Sequence, residues 1–172
     1  MVIDHTPQYR EIWDAVYQRL GFSPSYADSS HALNGHLPFQ IAAPHAVYAV
    51  EHMPGEKLNL LEQTVREIFC RITKPGRRIY ALDWQHSAFL YDPCNPDEQT
   101  SCAVRDERYP GGGYTADFPA FYPDGDYYFF LEEQFEFGYL GHPWRQEIWV
   151  FGRALMEEIE RVYQKFGWDK LK

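Results

Sequence analysis

The stretch FYPDGDYYFFLEEQFEFGYLGHPW, residues 121–144, combines turn residues, aromatic residues and carboxylates. Its Pro123-Asp124-Gly125 segment is typical of a turn, because proline presets φ, aspartate bonds its own backbone and glycine accepts positive φ. An Asp-x-Asp pair also supplies oxygen ligands for calcium or magnesium. A calcium loop needs further oxygen ligands in the next few positions, where this sequence has aromatic residues. The pattern therefore predicts a turn.

Strands are predicted on both sides of the polar segment Glu132-Glu133-Gln134, at residues 126–132 and 135–140. Successive side chains of a strand point to opposite faces, and in the first of these strands both faces are largely apolar. Such a strand is typical of the centre of a sheet that is covered on both sides. The stretch therefore predicts an aromatic hairpin within a sheet.

Amphipathic helices and further strands lie on both sides of this hairpin. Helices are predicted from apolar spacing and end signals at residues 7–20, 59–73, with Asn59 as cap, and 153–166. Strands are predicted at residues 46–52 and 146–151, and in a hairpin formed by RIYALDW and SAFLYDP around Gln85-His86. Long irregular loops are predicted at residues 22–45 and 93–113.

The order of these elements indicates the fold class. Strands that are segregated from helices, without regular alternation, predict an α+β fold. We expect a mainly antiparallel sheet of about five to six strands with helices on one face. The 172 residues suit a single domain, with an N-terminal helix and loop at 1–45 and a core at 46–166.

The net charge of −9 disfavours nucleic acid as a partner, because phosphate binding needs a basic face. Charge is also unevenly placed: residues 109–144 carry six carboxylates without Lys or Arg, whereas residues 66–78 are mainly basic. One interpretation is that the two segments face each other or are solvated surface. The other is that the acidic segment binds a basic protein partner.

The three cysteines form no CxxC pair. Cys70 lies in an apolar helical pattern and is expected to be a buried thiol, whereas Cys94 and Cys102 share a polar loop and either pair or stay free. We favour reduced thiols. No secretory signal and no apolar run of membrane-spanning length is visible, so the sequence predicts a soluble cytoplasmic protein with no membrane association.

Two segments contain residue types that suit catalysis. In GHPW, the proline after His142 favours an extended corner that aims the imidazole into a pocket or completes a strand. In LDWQHSAF, Asp83, His86 and Ser87 are the residue types of a catalytic triad, although only spatial arrangement decides that role. Asp126 is a further acidic candidate. We favour structural roles for these residues.

No cofactor and no metal site is predicted. HExxH, His-x-His and CxxC patterns are absent, which leaves little support for zinc. A P-loop and a dinucleotide glycine fingerprint are absent too, and the glycine run YPGGGY lacks the strand and helix of a phosphate-binding loop.

Three of these segments resemble a bacterial domain family that is catalogued only as a domain of unknown function. They are the W-x-H stretch in the hairpin, the P-x-G-D-Y-Y strand at 123–128, and the G-x-x-G-H-P-W corner at 138–144 that leads to V-F-G and a helix. The similarity covers residues 78–160. It implies a bacterial origin and a compact α+β domain, and it implies no activity.

Three functions are consistent with these features. The first is an acidic protein-binding module similar to immunity or antitoxin proteins, in which aromatic anchors are surrounded by carboxylates. The second is a small hydrolase-like enzyme that uses His142 and His86 with Asp83 or Asp126. The third is a small-ligand-binding protein. The predicted binding residues are Trp84, Tyr128, Glu132, Glu133, Tyr139, His142 and Trp144. The oligomeric state is left open.

Overall fold

The computed structural model describes residues 1–24, 39–50, 53–106 and 111–172. The helices of these residues are α1 (Pro7–Arg19), α2 (Gly55–Ile72), α3 (Arg153–Phe166) and a short 3-10 helix at Pro96–Glu98. The strands are β1 (His45–Ala49), β2 (Ile79–Asp83), β3 (Ala88–Tyr91), β4 (Cys102–Arg105), β5 (Gly113–Ala116), β6 (Tyr128–Glu132), β7 (Gly138–His142), β8 (Glu147–Phe151) and β9 (Asp169–Lys170). None of these helices is long and apolar enough to cross a membrane.

Seven of the strands form one sheet in the order β3-β2-β6-β7-β8-β1-β9, and β4 and β5 form a separate pair. Every strand pairing in both sheets is antiparallel. The predicted α+β class with a mainly antiparallel sheet is therefore confirmed. The main sheet has seven strands rather than the five or six predicted.

Apolar side chains are buried on both faces of the sheet. One face packs against α2 and α3, through residues that include Phe69, Phe130 and Ile159. The other face carries Phe129 and Leu131 and packs against residues of α1 such as Trp13. Because β6 alternates between these two cores and its apolar residues are fully buried, the prediction of a central strand covered on both sides is confirmed.

Several boundaries differ from the predicted ones. Helix α2 begins at Gly55 with Pro54 at the N-cap, one turn before the predicted Asn59 cap, because Glu56 and Lys57 are good helix formers. Strand β4 lies in the predicted loop 93–113, and β5 begins at the last residue of that loop. Their side chains are mostly exposed, so they lack the apolar alternation that identifies a strand.

Parts of three predicted segments fall outside the described residues. They are residues 25–38 of the first predicted loop, 51–52 at the end of the predicted strand 46–52, and 107–110 of the second predicted loop.

A disulfide joins Cys70 and Cys94, and Cys102 is an exposed free cysteine. The expectation that Cys70 is a buried thiol is wrong, and so is the alternative of a Cys94–Cys102 pair. The end of α2 and the segment after β3 bring the Cα atoms of Cys70 and Cys94 to 4.7 Å, a proximity that no local pattern indicates. Since disulfides are typical of oxidising compartments, the bond also argues against the predicted reduced cytoplasm.

We expect the Cys94→Ser variant to lose about 3 kcal/mol of unfolding free energy under non-reducing conditions. The bond spans 24 residues, and closing a loop of that length restricts the unfolded chain. Urea unfolding measures the change, with Cys102→Ser as the matched control that leaves stability unchanged. Equal stability of Cys94→Ser and Cys102→Ser would contradict the disulfide.

We expect Gly152→Ala to destabilise the protein by about 3 kcal/mol or more, because φ is +87° there and a Cβ would lie 2.4 Å from the Phe137 Cβ. Gly55→Ala is the control. A Cβ at Gly55 meets nothing within 4 Å at the start of α2, so alanine is neutral or stabilising there. Thermal unfolding of both variants tests the contrast, and similar effects would refute it.

Candidate functional site

The turn between β2 and β3 brings two polar side chains to one face. The Asp83 N–H donates to the Ser87 carbonyl at 2.9 Å, and the His86 N–H donates to the Asp83 carbonyl at 3.1 Å. Because Asp83 and Ser87 oppose each other across an antiparallel pair, their side chains share a face. Gln85, inside the turn, has a φ of +67°, which is uncommon for a residue other than glycine.

The segment that leads into the neighbouring strand β6 adds a second carboxylate to this face. Asp83 pairs with Tyr128, so these two side chains also lie on the same face. Asp126 precedes Tyr128 by two residues and therefore points the same way in extended chain. Its carboxylate is fixed by the Tyr127 N–H, which donates to the Asp126 Oδ1 at 2.7 Å.

Asp83, His86 and Asp126 form one cluster. The His86 Nδ1 lies 3.2 Å from the Asp83 Oδ1 and 3.4 Å from the Asp126 Oδ2. The ligand atoms of the three residues all lie within 4.8 Å of one another. The imidazole is 63% exposed, whereas the two carboxylates are 14% and 18% exposed. The cluster is therefore anchored in the protein and open to solvent on the histidine side.

The cluster opens into a pocket of about 570 Å³. Its wall includes Asp83, His86 and Ser87 from the hairpin, Tyr128 from β6, and residues distant in sequence, namely Asp4, His5, Tyr9, Tyr114 and Asp117. The Asp4 carboxylate accepts hydrogen bonds from the Ala88 N–H at 2.6 Å and the Tyr114 hydroxyl at 2.8 Å. The N-terminal segment therefore forms part of the pocket wall.

The pKa of Asp83 is raised to about 6, mainly by burial; His86 opposes this rise, and the Asp126 and Asp117 carboxylates contribute to it. Burial likewise raises the pKa of Asp126. Burial alone would lower the pKa of His86, but attraction and hydrogen bonding to Asp83, with a smaller effect of Asp126, raise it above the ordinary value. The negative charge of the cluster is thus only partly balanced by the imidazole.

The acidic residues at the other end of β6 are neutralised within the fold. Glu132 lies 3.0 Å from the Arg77 Nε, and the Lys74 Nζ donates to Glu136 at 2.6 Å. The basic segment 66–78 thus faces the acidic turn, as the first interpretation of the charge pattern expects. Among the described residues, no Lys or Arg forms an ion pair with Asp83 or Asp126.

The structure places the predicted binding residues in four different surroundings. Glu132, Tyr139 and His142 are buried, with exposures of 2%, 0% and 0%. Trp84 and Trp144 are half-buried and pack against Tyr127, away from the pocket wall.

The remaining two predicted residues differ in position. Glu133 accepts a hydrogen bond from the Arg78 N–H at 2.7 Å and so belongs to the neutralised end of the sheet. Tyr128 lines the pocket beside Asp83, and its hydroxyl donates to the Asp124 carbonyl at 2.8 Å.

His142 lies in the core rather than in the wall of this pocket. The Arg145 N–H donates to its Nδ1 at 3.4 Å, so the proton of the neutral ring is on Nε2, which lies 3.4 Å from the Tyr127 hydroxyl. Burial, together with the positive charge of Arg145, lowers the pKa of His142 to about 3. The ring is therefore neutral and held by the core.

Pocket residues that the sequence patterns did not indicate come from the N-terminus and from β5. Asp4, Tyr9 and Tyr114 reach the pocket through long-range pairing, including a bridge between Val2 and Phe89. The sequence analysis included Asp117 only as one of the six carboxylates of the acidic segment 109–144. A larger pocket of about 650 Å³, near the start of α3, is mainly apolar and contains none of the predicted site residues.

The family model described as "Protein of unknown function (DUF2716)" matches residues 4–156. The chain belongs to this family. The matched range includes every residue of the acidic pocket, from Asp4 to Tyr128. A similar protein is the "Uncharacterized protein YxiI" of Bacillus subtilis (strain 168), which is 35% identical over 162 residues, or 92% of this chain and 90% of the relative. No solved structure matches the chain.

We expect His142→Gln to flatten the acid dependence of stability. The pKa of His142 rises from about 3 in the folded protein to about 6.5 on unfolding, so the unfolded chain binds the extra proton between these values. The stability from a neutral His142 is complete above about pH 6.5 and is lost as the pH falls towards 3.

Urea unfolding between about pH 5.5 and pH 4 measures this effect. The unfolding free energy of the wild type is expected to fall by about 1.4 kcal/mol per pH unit more than that of the variant. Parallel pH profiles would show that the folded protein does not hold His142 neutral.

Proposed function

We propose that the protein is an acidic protein-binding module of immunity or antitoxin type, and that its pocket receives a basic side chain of a partner protein. The observation that supports this most directly is the contrast between the two ends of β6. Glu132 and Glu136 are paired with Arg77 and Lys74, whereas the pocket carboxylates have only the His86 imidazole as an ionic partner among the described residues.

The composition of the pocket also favours a cationic group. Aspartates at positions 4, 83 and 117 lie in one wall with Tyr9, Tyr114 and Tyr128. Carboxylates form charge-assisted hydrogen bonds with guanidinium or ammonium groups, and aromatic faces attract cations. A lysine or arginine from a partner enzyme therefore suits the pocket, and the negative field increases the encounter rate.

The interface proposed from the structure lies at a different position from the one predicted from the sequence. The sequence predicted that Glu132, Glu133 and aromatic residues of the hairpin bind the partner. In the structure, those two carboxylates instead contact the protein's own basic segment. The interface that we propose is the acidic pocket at the opposite end of the same strand, with Tyr128 as the residue that the two have in common.

A hexa-arginine peptide is a direct probe of this proposal. In ¹H–¹⁵N spectra at low salt, we expect shifts centred on the amides of residues 83–87 and 126–128, and salt is expected to weaken the binding because it screens the charges. The Asp117→Asn/Asp126→Asn double variant is expected to bind about tenfold more weakly.

The matched control is the Glu136→Gln/Glu157→Gln double variant, which changes the net charge equally at exposed carboxylates outside the pocket. It is expected to bind like the wild type. If both double variants weaken binding equally, peptide binding depends only on the net charge of the protein, and the pocket has no specific role. Absence of localised shifts would contradict the proposal outright.

A second candidate function, a hydrolase-like enzyme, is favoured by one observation. The His86 Nδ1 contacts Asp83 as in the acid–base half of a catalytic triad, and Ser87 lines the same pocket. No hydrogen bond joins Ser87 to His86 in the described structure, so only part of that arrangement is present. His142, the other predicted catalytic histidine, is in the core.

Assays with chromogenic carboxylic and phosphoric esters test the second candidate. His86→Ala is expected to reduce any turnover by at least about a hundredfold, because a positioned general base contributes that much. His45→Ala, which changes a histidine outside the pocket, is the control. Turnover that is absent, or that survives in His86→Ala, would eliminate this candidate.

A further inference from the structure

The Asp83, His86 and Asp126 cluster has the dimensions of a metal-binding site. Nitrogen and oxygen ligands lie about 2.1 Å from Zn²⁺, which places neighbouring ligands about 3.0 Å apart in octahedral and about 3.4 Å apart in tetrahedral coordination. The His86 Nδ1 lies 3.2 Å and 3.4 Å from its two carboxylate neighbours. The separations therefore fit two ligand pairs around one ion, and the third pair, formed by the two carboxylates, lies within 4.8 Å.

The strands hold these ligands in place. Asp83 is fixed at the end of β2 by pairing with both neighbouring strands, and the Asp126 Oδ1 is held by the Tyr127 N–H, which leaves Oδ2 directed to His86. Only the His86 side chain is largely exposed and able to adjust. An ion entering from solvent would thus meet two carboxylates on a fixed backbone and one adaptable imidazole, and small side-chain rotations would bring the carboxylates within the about 4.2 Å that two ligands of one Zn²⁺ span.

Ser87 gives an independent indication of a ligand. It is only 5% exposed and lines the pocket on the same face as Asp83. Within the described part of the chain, its hydroxyl forms no hydrogen bond, and its oxygen is accessible from the pocket rather than fully buried. A polar group or a metal-bound water in the pocket would supply a hydrogen-bond partner.

We propose that Asp83, His86 and Asp126 bind a divalent first-row metal ion such as Zn²⁺, with a remaining coordination position open to the pocket beside Ser87. One imidazole and two carboxylates suit Zn²⁺ better than Mg²⁺ or Ca²⁺, which prefer oxygen ligands. Three protein ligands with an open position are typical of sites where a metal binds a water or a substrate group. The sequence patterns indicated no metal because these ligands come from two strands and a turn.

This inference shares residues with the proposed function but does not rest on it, because metal binding is measured on the protein alone. A bound Zn²⁺ would offset the two carboxylate charges, so the metal and a basic side chain would compete for the same groups. Zn²⁺ binding without binding of hexa-arginine would overturn the proposed function only. The opposite result would overturn the metal site only.

Isothermal titration of ZnCl₂ into untagged, chelator-treated protein tests the site. The Cys102→Ser background is used, since an exposed free thiol also binds zinc. We expect one saturable site per chain, and MgCl₂ and CaCl₂ binding at least about tenfold more weakly. Absence of saturable Zn²⁺ binding would overturn the proposal.

Variants assign the site to these residues. His86→Ala and Asp126→Asn are each expected to weaken Zn²⁺ binding by at least about tenfold, since loss of one ligand removes a coordinate bond. His45→Ala, a histidine outside the pocket, is expected to stay within about twofold of the parent protein.

Because the His86 side chain is 63% exposed, its removal leaves no core cavity, and circular dichroism checks that the variants fold. If Asp126→Asn unfolds, His86→Ala alone decides the outcome. Wild-type affinity in the His86→Ala variant would overturn the site.

Discussion

Backbone pairing between β2 and β6 positions the acidic pocket. Their antiparallel register places Asp83 opposite Tyr128, and the alternation of side chains then brings Asp126 to the same face. A shift of one residue in this pairing would move each of these side chains to the opposite face. The register is fixed because β6 is buried on both faces, with Phe130 in one core and Phe129 and Leu131 in the other.

Local patterns predicted the elements of this arrangement well. The apolar alternation in β6 and the helical spacing in α1 and α3 depend on neighbouring residues, and the structure contains these elements close to the predicted positions. Gly125 has the positive φ expected from the Pro-Asp-Gly segment. The extra strands were not predicted. β9 has two residues, and β4 and β5 are mostly exposed, so none of them has the apolar alternation that local patterns detect.

The site was harder to predict because it depends on contacts between distant residues. Asp83 and His86 belong to one predicted hairpin and meet through its turn, whereas only the pairing of β2 with β6 brings Asp126 to them. Asp4 and Tyr114 reach the pocket through the N-terminal segment and β5, for which the sequence has no local signal. The Cys70–Cys94 disulfide was missed for the same reason: its partners are neighbours in space and not in any motif.

Charge distribution links the fold to the proposed functions. The basic segment 66–78 neutralises one end of β6, which leaves the carboxylates around His86 as the part of the acidic segment that is able to bind an external cation. Both proposals, a basic side chain of a partner and a divalent metal ion, use this imbalance. They differ in ligand geometry, since a metal ion requires the His86 nitrogen as a ligand and a guanidinium or ammonium group does not.

The most direct test of this account is the pKa of His86, measured by NMR titration in the wild type and in Asp126→Asn. Both carboxylates lie against the imidazole, so the pKa of His86 is expected to fall when Asp126 loses its charge and to stay unchanged in Glu136→Gln. If the pKa of His86 is the same in the wild type and Asp126→Asn, the register does not assemble these groups, and the pocket described above does not exist in solution.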